Sequence, residues 1–249
     1  MTLMPAMDHA QQAAWHSLLD LYELQPDGWT LIGGQLVHLL CAERGYSPQR
    51  PTSDADAVVD ARVPDVLGAV TSALLNLDFK PEPSSDEVQH RWRCGDAVLD
   101  VLIPEGTGAR TEARKSASGF PTIAAPGGTQ ALRRSEVVAV TVGERTGRVP
   151  RPVLLSAMIL KSAARLETTG TGLDRHCHDF AALASVLAAS DITRIHLSKK
   201  DCQRLSRMIE ATRSTPVALR ENPEAARRLT RLEQALGDAA ESRQRATDK

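Results

Sequence analysis

The residues Trp29-Thr30-Leu31-Ile32 run into a bare diglycine, Gly33-Gly34, and continue as QLVHLLCAERG, an apolar stretch stopped by Gly45. No other passage restricts the fold as much. A short apolar run bounded by a turn signal predicts a buried strand, and glycines without Cβ atoms predict the tight turn that ends it. The stretch after the turn has helical periodicity and a glycine stop. The passage therefore predicts a strand-turn-helix unit.

The next segment, SDADAVVD, has a strand-like pattern. Side chains two apart on a strand share a face, so Asp54 and Asp56 project together while Ala55 and Ala57 face away. Their charges repel, and a divalent cation bridging both relieves the repulsion better than water confined in a cleft. Pro64 then begins a further helix through Val66, Val70, Leu74 and Leu77. Beyond it VQHRWR, the turn CGDA and VLDVLI predict an antiparallel hairpin, with Asp100 interrupting an otherwise apolar strand. If these strands are neighbours, three carboxylates converge.

Asp54, Asp56 and Asp100 together could hold two Mg²⁺ ions, an arrangement that suits nucleotidyl transfer by clamping the attacking and leaving oxygens. Gly33 and Gly34 would let a triphosphate approach the backbone, and the following helix would offer unpaired N–H groups at its positive end. An acidic pair or a diglycine alone arises by chance in many chains of this length. The weight lies in the order of strand, diglycine, helix, acidic strand and isolated acid.

Around this centre, Asp8 caps a predicted helix to about Leu24. Residues 104–128, rich in Gly, Ser, Pro and basic side chains, read as a long mobile loop with one short strand. SEVVAVTV reads as the last strand of the sheet. After RVPRP the periodicity is helical over 152–166, 174–189, 198–213 and 222–245, which sets a boundary near Pro150. The expected fold is α+β: a small mixed sheet with flanking helices over 1–150, then a helical bundle over 151–249 that closes the cleft.

Two charges fall on apolar helix faces. Lys161 lies seven residues after Leu154 and three after Met158, and Asp179 shares a face with Leu183 and Val186. Ammonium groups are seldom buried unpaired, so these two read as a pair across successive helices or as part of a site. His176 and His178 diverge by about 200° on a helix and are not expected to chelate one ion. Arg110, Arg114 and Lys115 in the long loop suit phosphate or RNA backbone, or simply solvent.

Lys+Arg 30 against Asp+Glu 31 leaves a net charge of −1, so any nucleic-acid contact needs a local patch. Cys41, Cys94, Cys177 and Cys202 are far apart with no CxxC pair, and read as reduced core thiols. No apolar stretch reaches membrane-spanning length and no leader pattern is present, so a cytoplasmic protein is expected.

The motifs LIGGQLVHLL, RPTSDADAVVD and AVLDVLIP resemble the polymerase-beta type nucleotidyltransferase superfamily, and within it the AbiEii/AbiGii toxin-like branch. The resemblance implies that Gly33, Gly34 and Gln35 bind nucleotide, and that Asp54, Asp56 and Asp100 hold two Mg²⁺, Asp100 also activating the attacking hydroxyl. It also implies that Lys161 contacts nucleotide phosphate while Asp179 orients it, both on the catalytic side of the cleft. The implied activity is transfer of a nucleoside monophosphate from an NTP to a hydroxyl acceptor. The branch contains toxins of toxin-antitoxin and phage-defence systems, some of which act on tRNA, so tRNA is the implied acceptor and a cognate antitoxin the implied partner. A small-molecule acceptor such as an antibiotic, or a catalytically silent interaction module, are the alternatives. Gly34 stands where many relatives carry serine, and the nineteen residues between Gly34 and Asp54 exceed the usual spacing, so RGYSPQR reads as an insertion.

Overall fold

A computed structural model describes residues 1–82, 88–168, 170–193 and 196–247. The first part contains β1 (Thr2–Leu3), α1 (His9–Leu24), β2 (Trp29–Ile32), α2 (Gly33–Ala42), β3 (Ala55–Val59), α3 (Val66–Asn76) and β4 (Lys80–Glu82). It continues with β5 (Arg91–Cys94), β6 (Ala97–Pro104), α4 (Ala109–Glu112), β7 (Ala124–Ala125), α5 (Gly128–Arg133), β8 (Ser135–Val142) and β9 (Arg145–Pro152). Helices alone follow: α6 (Leu154–Glu167), α7 (Leu173–Ser185), α8 (Ala189–Thr193), α9 (Lys199–Arg213), α10 (Pro216–Glu221) and α11 (Ala225–Thr247), with a 3₁₀ turn at Gly170–Gly172.

The main sheet has the order β2-β3-β6-β5-β4, with β7 paired to β6. It is mixed, because β3 and β6 run parallel while β2–β3, β4–β5 and β5–β6 are antiparallel. β2 is buried along its whole length. Such a strand has no solvent face to alternate with, hence its continuous apolar run. The Asp8 carboxylate caps α1 by accepting from Gln11 N at 2.7 Å, and the helix buries Ala14, Trp15, Leu18, Leu19 and Leu21. Each leucine contributes about 1.5–3 kcal/mol on full burial.

One apolar cluster runs through both parts, taking in Leu36, Val58 and Leu99 from the first and Met158, Phe180, Leu205 and Leu232 from the second. The four cysteines are free thiols, three of them buried. Among the described residues no helix is long and apolar enough to cross a membrane.

Two expectations need correction. SEVVAVTV is not the last strand of the main sheet: it is β8, central in a second sheet of order β1-β8-β9. Its partner β9, sequence RTGRVPRP, carries two prolines yet pairs with β8 from Ser135↔Pro152 to Val142↔Arg145. β9 ends the sheet order, and an edge strand tolerates prolines because one row of its N–H groups needs no partner. Buried Arg151 also ties it down, donating to both Glu43 oxygens at 2.9 Å.

The stretch 104–128 holds the one short strand expected in it, β7, but it is not otherwise a single loop. It is divided by α4, an isolated Lys115↔Pro121 bridge and β7, and Gln89 N donates to Pro121 O at 2.8 Å. Arg114 anchors it by donating to the Ala61 and Val63 carbonyls, at 3.0 Å to the latter.

Candidate active site

The site forms where the β2–α2 turn meets the start of β3. Ile32 pairs with Asp56 in the antiparallel register, which sets the turn against the acidic strand. Gly33 has φ +73°, and a Cβ built there would stand 1.8 Å from Asp56 Oδ2. No other residue type fits, because the Asp56 carboxyl occupies the space of the missing side chain.

A Cβ on Gly34 would lie 2.4 Å from Thr52 Oγ1, the hydroxyl that donates to Asp54 Oδ1 at 3.2 Å. The diglycine is therefore required by the acids and by Thr52, in addition to any ligand. The first turn of α2, which begins at Gly33, has no side-chain cap, so its first backbone donors are uncapped there.

The Gln35 side chain is not turned to this corner. It is fully buried, accepting from Gln11 Nε2 at 3.0 Å and donating to Thr52 O at 3.1 Å. The Gln35 side chain is therefore structural, which leaves its backbone N–H, in the first turn of α2, for any nucleotide contact. Its bond, with His38 Nε2 donating to Arg50 O at 2.9 Å, fixes the segment entering β3.

Strand β3 starts at Ala55, so Asp54 stands just ahead of it and Asp56 is its second residue. Asp56 lies directly beside Asp100 across the parallel β3–β6 pair. Neighbouring residues in register point to one face of a sheet, so the acids converge. Among the described residues nothing donates to the Asp56 carboxyl. Burial and the negative charges of Asp54 and Asp100 push it from its ordinary 3.8 up to about 7.

Asp100 differs. It is 7% exposed, and Arg91 grips both its oxygens, Nε to Oδ1 at 2.9 Å and Nη2 to Oδ2 at 2.8 Å. The same Nη2 stands 3.7 Å from Asp54 Oδ2.

Helices α6 and α7 supply the opposite charge. Lys161 Nζ and Asp179 Oδ2 are 2.6 Å apart, and both residues are buried, at 7% and 3% exposure. Arg50 closes the other side of Asp179, Nε to Oδ1 at 2.8 Å and Nη2 to Oδ2 at 3.2 Å. Burial alone would raise the Asp179 carboxyl, but Lys161 and Arg50 hold it below the usual range. Two cations on one carboxylate leave a net positive charge beside the acids. Exposed Arg175 adds to it, since both it and Lys161 oppose the rise at Asp56.

The histidines separate as expected from their helical spacing. His176 Nε2 pairs with Thr168 Oγ1 at 3.0 Å, while His178 Nδ1 meets Glu221 Oε2 at 2.7 Å. Burial, then Lys161 and Arg175, lower His176 to about 4, so it is neutral at pH 7.

Arg50, Arg91 and Arg175 are the site residues that sequence reasoning missed. For Arg91 the signal existed: counting back across the Gly95-Asp96 turn pairs Cys94 with Ala97, Trp92 with Leu99 and Arg91 with Asp100. Arg50 lies in the stretch read as an insertion, where nothing local announces a partner 129 residues away.

The fit to a divalent cation is partial. Asp54 and Asp56 provide hard oxygens with no strong partner, which suits Mg²⁺. Asp100 has both oxygens on a guanidinium, and among the described residues no group of three or more His, Cys, Asp or Glu stands arranged to hold an ion. The donors fit one ion on the Asp54–Asp56 pair and do not fit a second on Asp100.

No protein-family model and no curated protein matches the chain. Among solved structures it is similar to an antigenic nucleotidyltransferase-like protein from Paracoccidioides brasiliensis, at 15% identity and a TM-score of 0.50, over 87% of this chain and 95% of that one. At that identity the likeness speaks for the fold alone: the chain has a nucleotidyltransferase-like α+β fold, a mixed sheet with flanking helices and a helical C-terminal part.

Proposed function

We propose that the protein transfers a nucleoside monophosphate from an NTP to a hydroxyl acceptor, with diphosphate leaving. One observation carries the reading: the Asp56 carboxyl packs against Gly33 at the open N-terminus of α2, so an acid and a phosphate-admitting turn share one corner. A carboxyl raised by burial and neighbouring acids in a cleft marks a candidate functional site. A divalent cation on Asp54 and Asp56 would supply neutralisation of phosphate charge.

The chain's own groups do the rest. The α2 N–H groups receive phosphate oxygens, and Lys161, oriented by Asp179, provides a further positive charge. Arg175 is exposed, and its charge, with that of Lys161, acts on Asp56. The helical part, 151–249, closes the cleft through Lys161 and Asp179.

The finer reading is an AbiEii-like toxin that acts on tRNA and is held in check by an antitoxin protein. It rests on the resemblance of the motifs, since the basic loop lies away from the acids. Arg114 bonds Ala61 and Val63, past the C-terminal end of β3, whereas Asp56 is the second residue of that strand. The Arg91 clamp on Asp100 favours a second reading, a catalytically silent interaction module of the same fold.

The test is incubation of purified protein with each labelled NTP, Mg²⁺, and either total tRNA or a pool of small hydroxyl acceptors. Label entering RNA supports the tRNA reading, and label entering small molecules supports a small-molecule transferase. Label entering nothing, with any NTP, leaves the silent module.

A further inference from the structure

Arg91 holds Asp100 in an arrangement that leaves little room for a metal ion. β5 and β6 pair antiparallel with Arg91 directly opposite Asp100, and fully buried Trp92 pins β5 next to it. The guanidinium is a rigid fork of donors that stays charged at any working pH, so it neutralises Asp100 permanently and takes both oxygens. Mg²⁺ sheds water reluctantly and normally keeps several of its waters. The Asp100 side chain, 10% exposed, has no space for such a hydrated ion, whereas the Asp54 side chain is 42% exposed. Arg91 is itself 38% exposed and reaches to 3.7 Å from Asp54, so its outer edge faces the place where a ligand on the acids would lie.

We propose that Arg91 is the built-in second cation of this site: one divalent ion binds, on Asp54 and Asp56, and the guanidinium held by Asp100 stands where a two-metal centre carries its other ion. Asp100 is then a positioning residue for Arg91 rather than a metal ligand or a base. The assignment takes the identity of the site from the nucleotidyl-transfer reading, but the ion count does not depend on transfer.

The experiment is Mn²⁺ titration of the full chain followed by electron paramagnetic resonance, with and without a nonhydrolysable NTP. Two manganese ions a few ångströms apart couple magnetically, and a single ion does not. The wild type is expected to bind one uncoupled ion per chain in both conditions. Arg91→Ala, which frees Asp100, is expected to bind two coupled ions. Asp100→Asn should retain the single ion and Asp56→Asn should lose it.

A coupled pair in the wild type, a single ion in Arg91→Ala, or loss of the ion in Asp100→Asn overturns the assignment. Should Arg91→Ala fail to fold, Arg91→Gln removes the charge with a similar side-chain length and is read in the same way. Calorimetry on the same samples reports nucleotide binding separately. A chain that binds one ion but no NTP contradicts the proposed function and leaves the ion count standing.

Discussion

Asp56 and Asp100 stand side by side across β3 and β6, in direct register, yet only Asp100 has a partner. Arg91 neutralises one acid of the pair and leaves the other to carry the repulsion. That asymmetry organises the site, and the pH behaviour of the protein follows from it.

Asp56 is raised from 3.8 to about 7 in the folded chain. A carboxyl whose folded pKa is raised costs stability above its unfolded pKa: the penalty is absent below about pH 4, grows between pH 4 and 7, and is full above that. Asp56→Asn removes it. Without divalent cations the variant is expected to be more stable than the wild type at pH 8 by on the order of 1–3 kcal/mol, with the gain vanishing near pH 4. Urea unfolding at both pH values measures this. Added Mg²⁺ should raise the wild-type midpoint and leave the Asn variant's unchanged, whereas equal stability at pH 8 would mean that the carboxyl is not under strain.

Gly33→Ala should damage both the fold and the site. Positive φ is costly for alanine, and its Cβ would fall on Asp56 Oδ2. The expected loss is about 1–3 kcal/mol of stability, with Mn²⁺ affinity down at least tenfold as the carboxyl is displaced. Isothermal titration with Mn²⁺ on the folded fraction checks it, and undiminished affinity would separate the turn from the acids.

The buried charges on α6 and α7 predict unequal costs. Asp179→Ala leaves Lys161 buried beside Arg50 with no counter-charge, and breaking a buried pair in this way costs about 3–5 kcal/mol. Lys161→Ala leaves Asp179 still gripped by Arg50, so its cost should be smaller by about 1–2 kcal/mol. Denaturant midpoints for the two variants decide the order. Because the Asp179 carboxyl lies below its usual range, its contribution is present above about pH 4 and is lost as pH falls further.

The basic loop offers a test of the acceptor. Arg110→Ala with Lys115→Ala is expected to leave NTP affinity within about twofold, because the loop is anchored beyond the end of β3 away from the acids. For a tRNA acceptor that crosses this face, removing two phosphate contacts would flatten the salt dependence of binding by about two units of slope. Filter binding of tRNA at several salt concentrations gives the answer. An unchanged slope assigns the loop to solvent.

Much of this molecule is legible along the chain because it depends on neighbours in sequence. The cap at Asp8, the strand-turn-helix around Gly33 and Gly34, and the hairpin carrying Asp100 are all local patterns. They require only periodicity, a missing Cβ or a turn of defined length to be recognised. The burial of Lys161 and Asp179 was equally readable, since an apolar helix face dictates which side is covered whatever covers it.

Tertiary structure decided the rest. Whether Asp56 would have a partner depended on which strand lay beside β3 and in what register. Arg50 met Asp179 across 129 residues, and the Gln35 side chain bonded Gln11 and Thr52. β9 became a strand despite its prolines because β8 offered an edge and Arg151 found Glu43. Charge pairing and edge pairing act at a distance of a few ångströms in space between residues far apart in sequence, and no local pattern records which partner the fold will bring within reach.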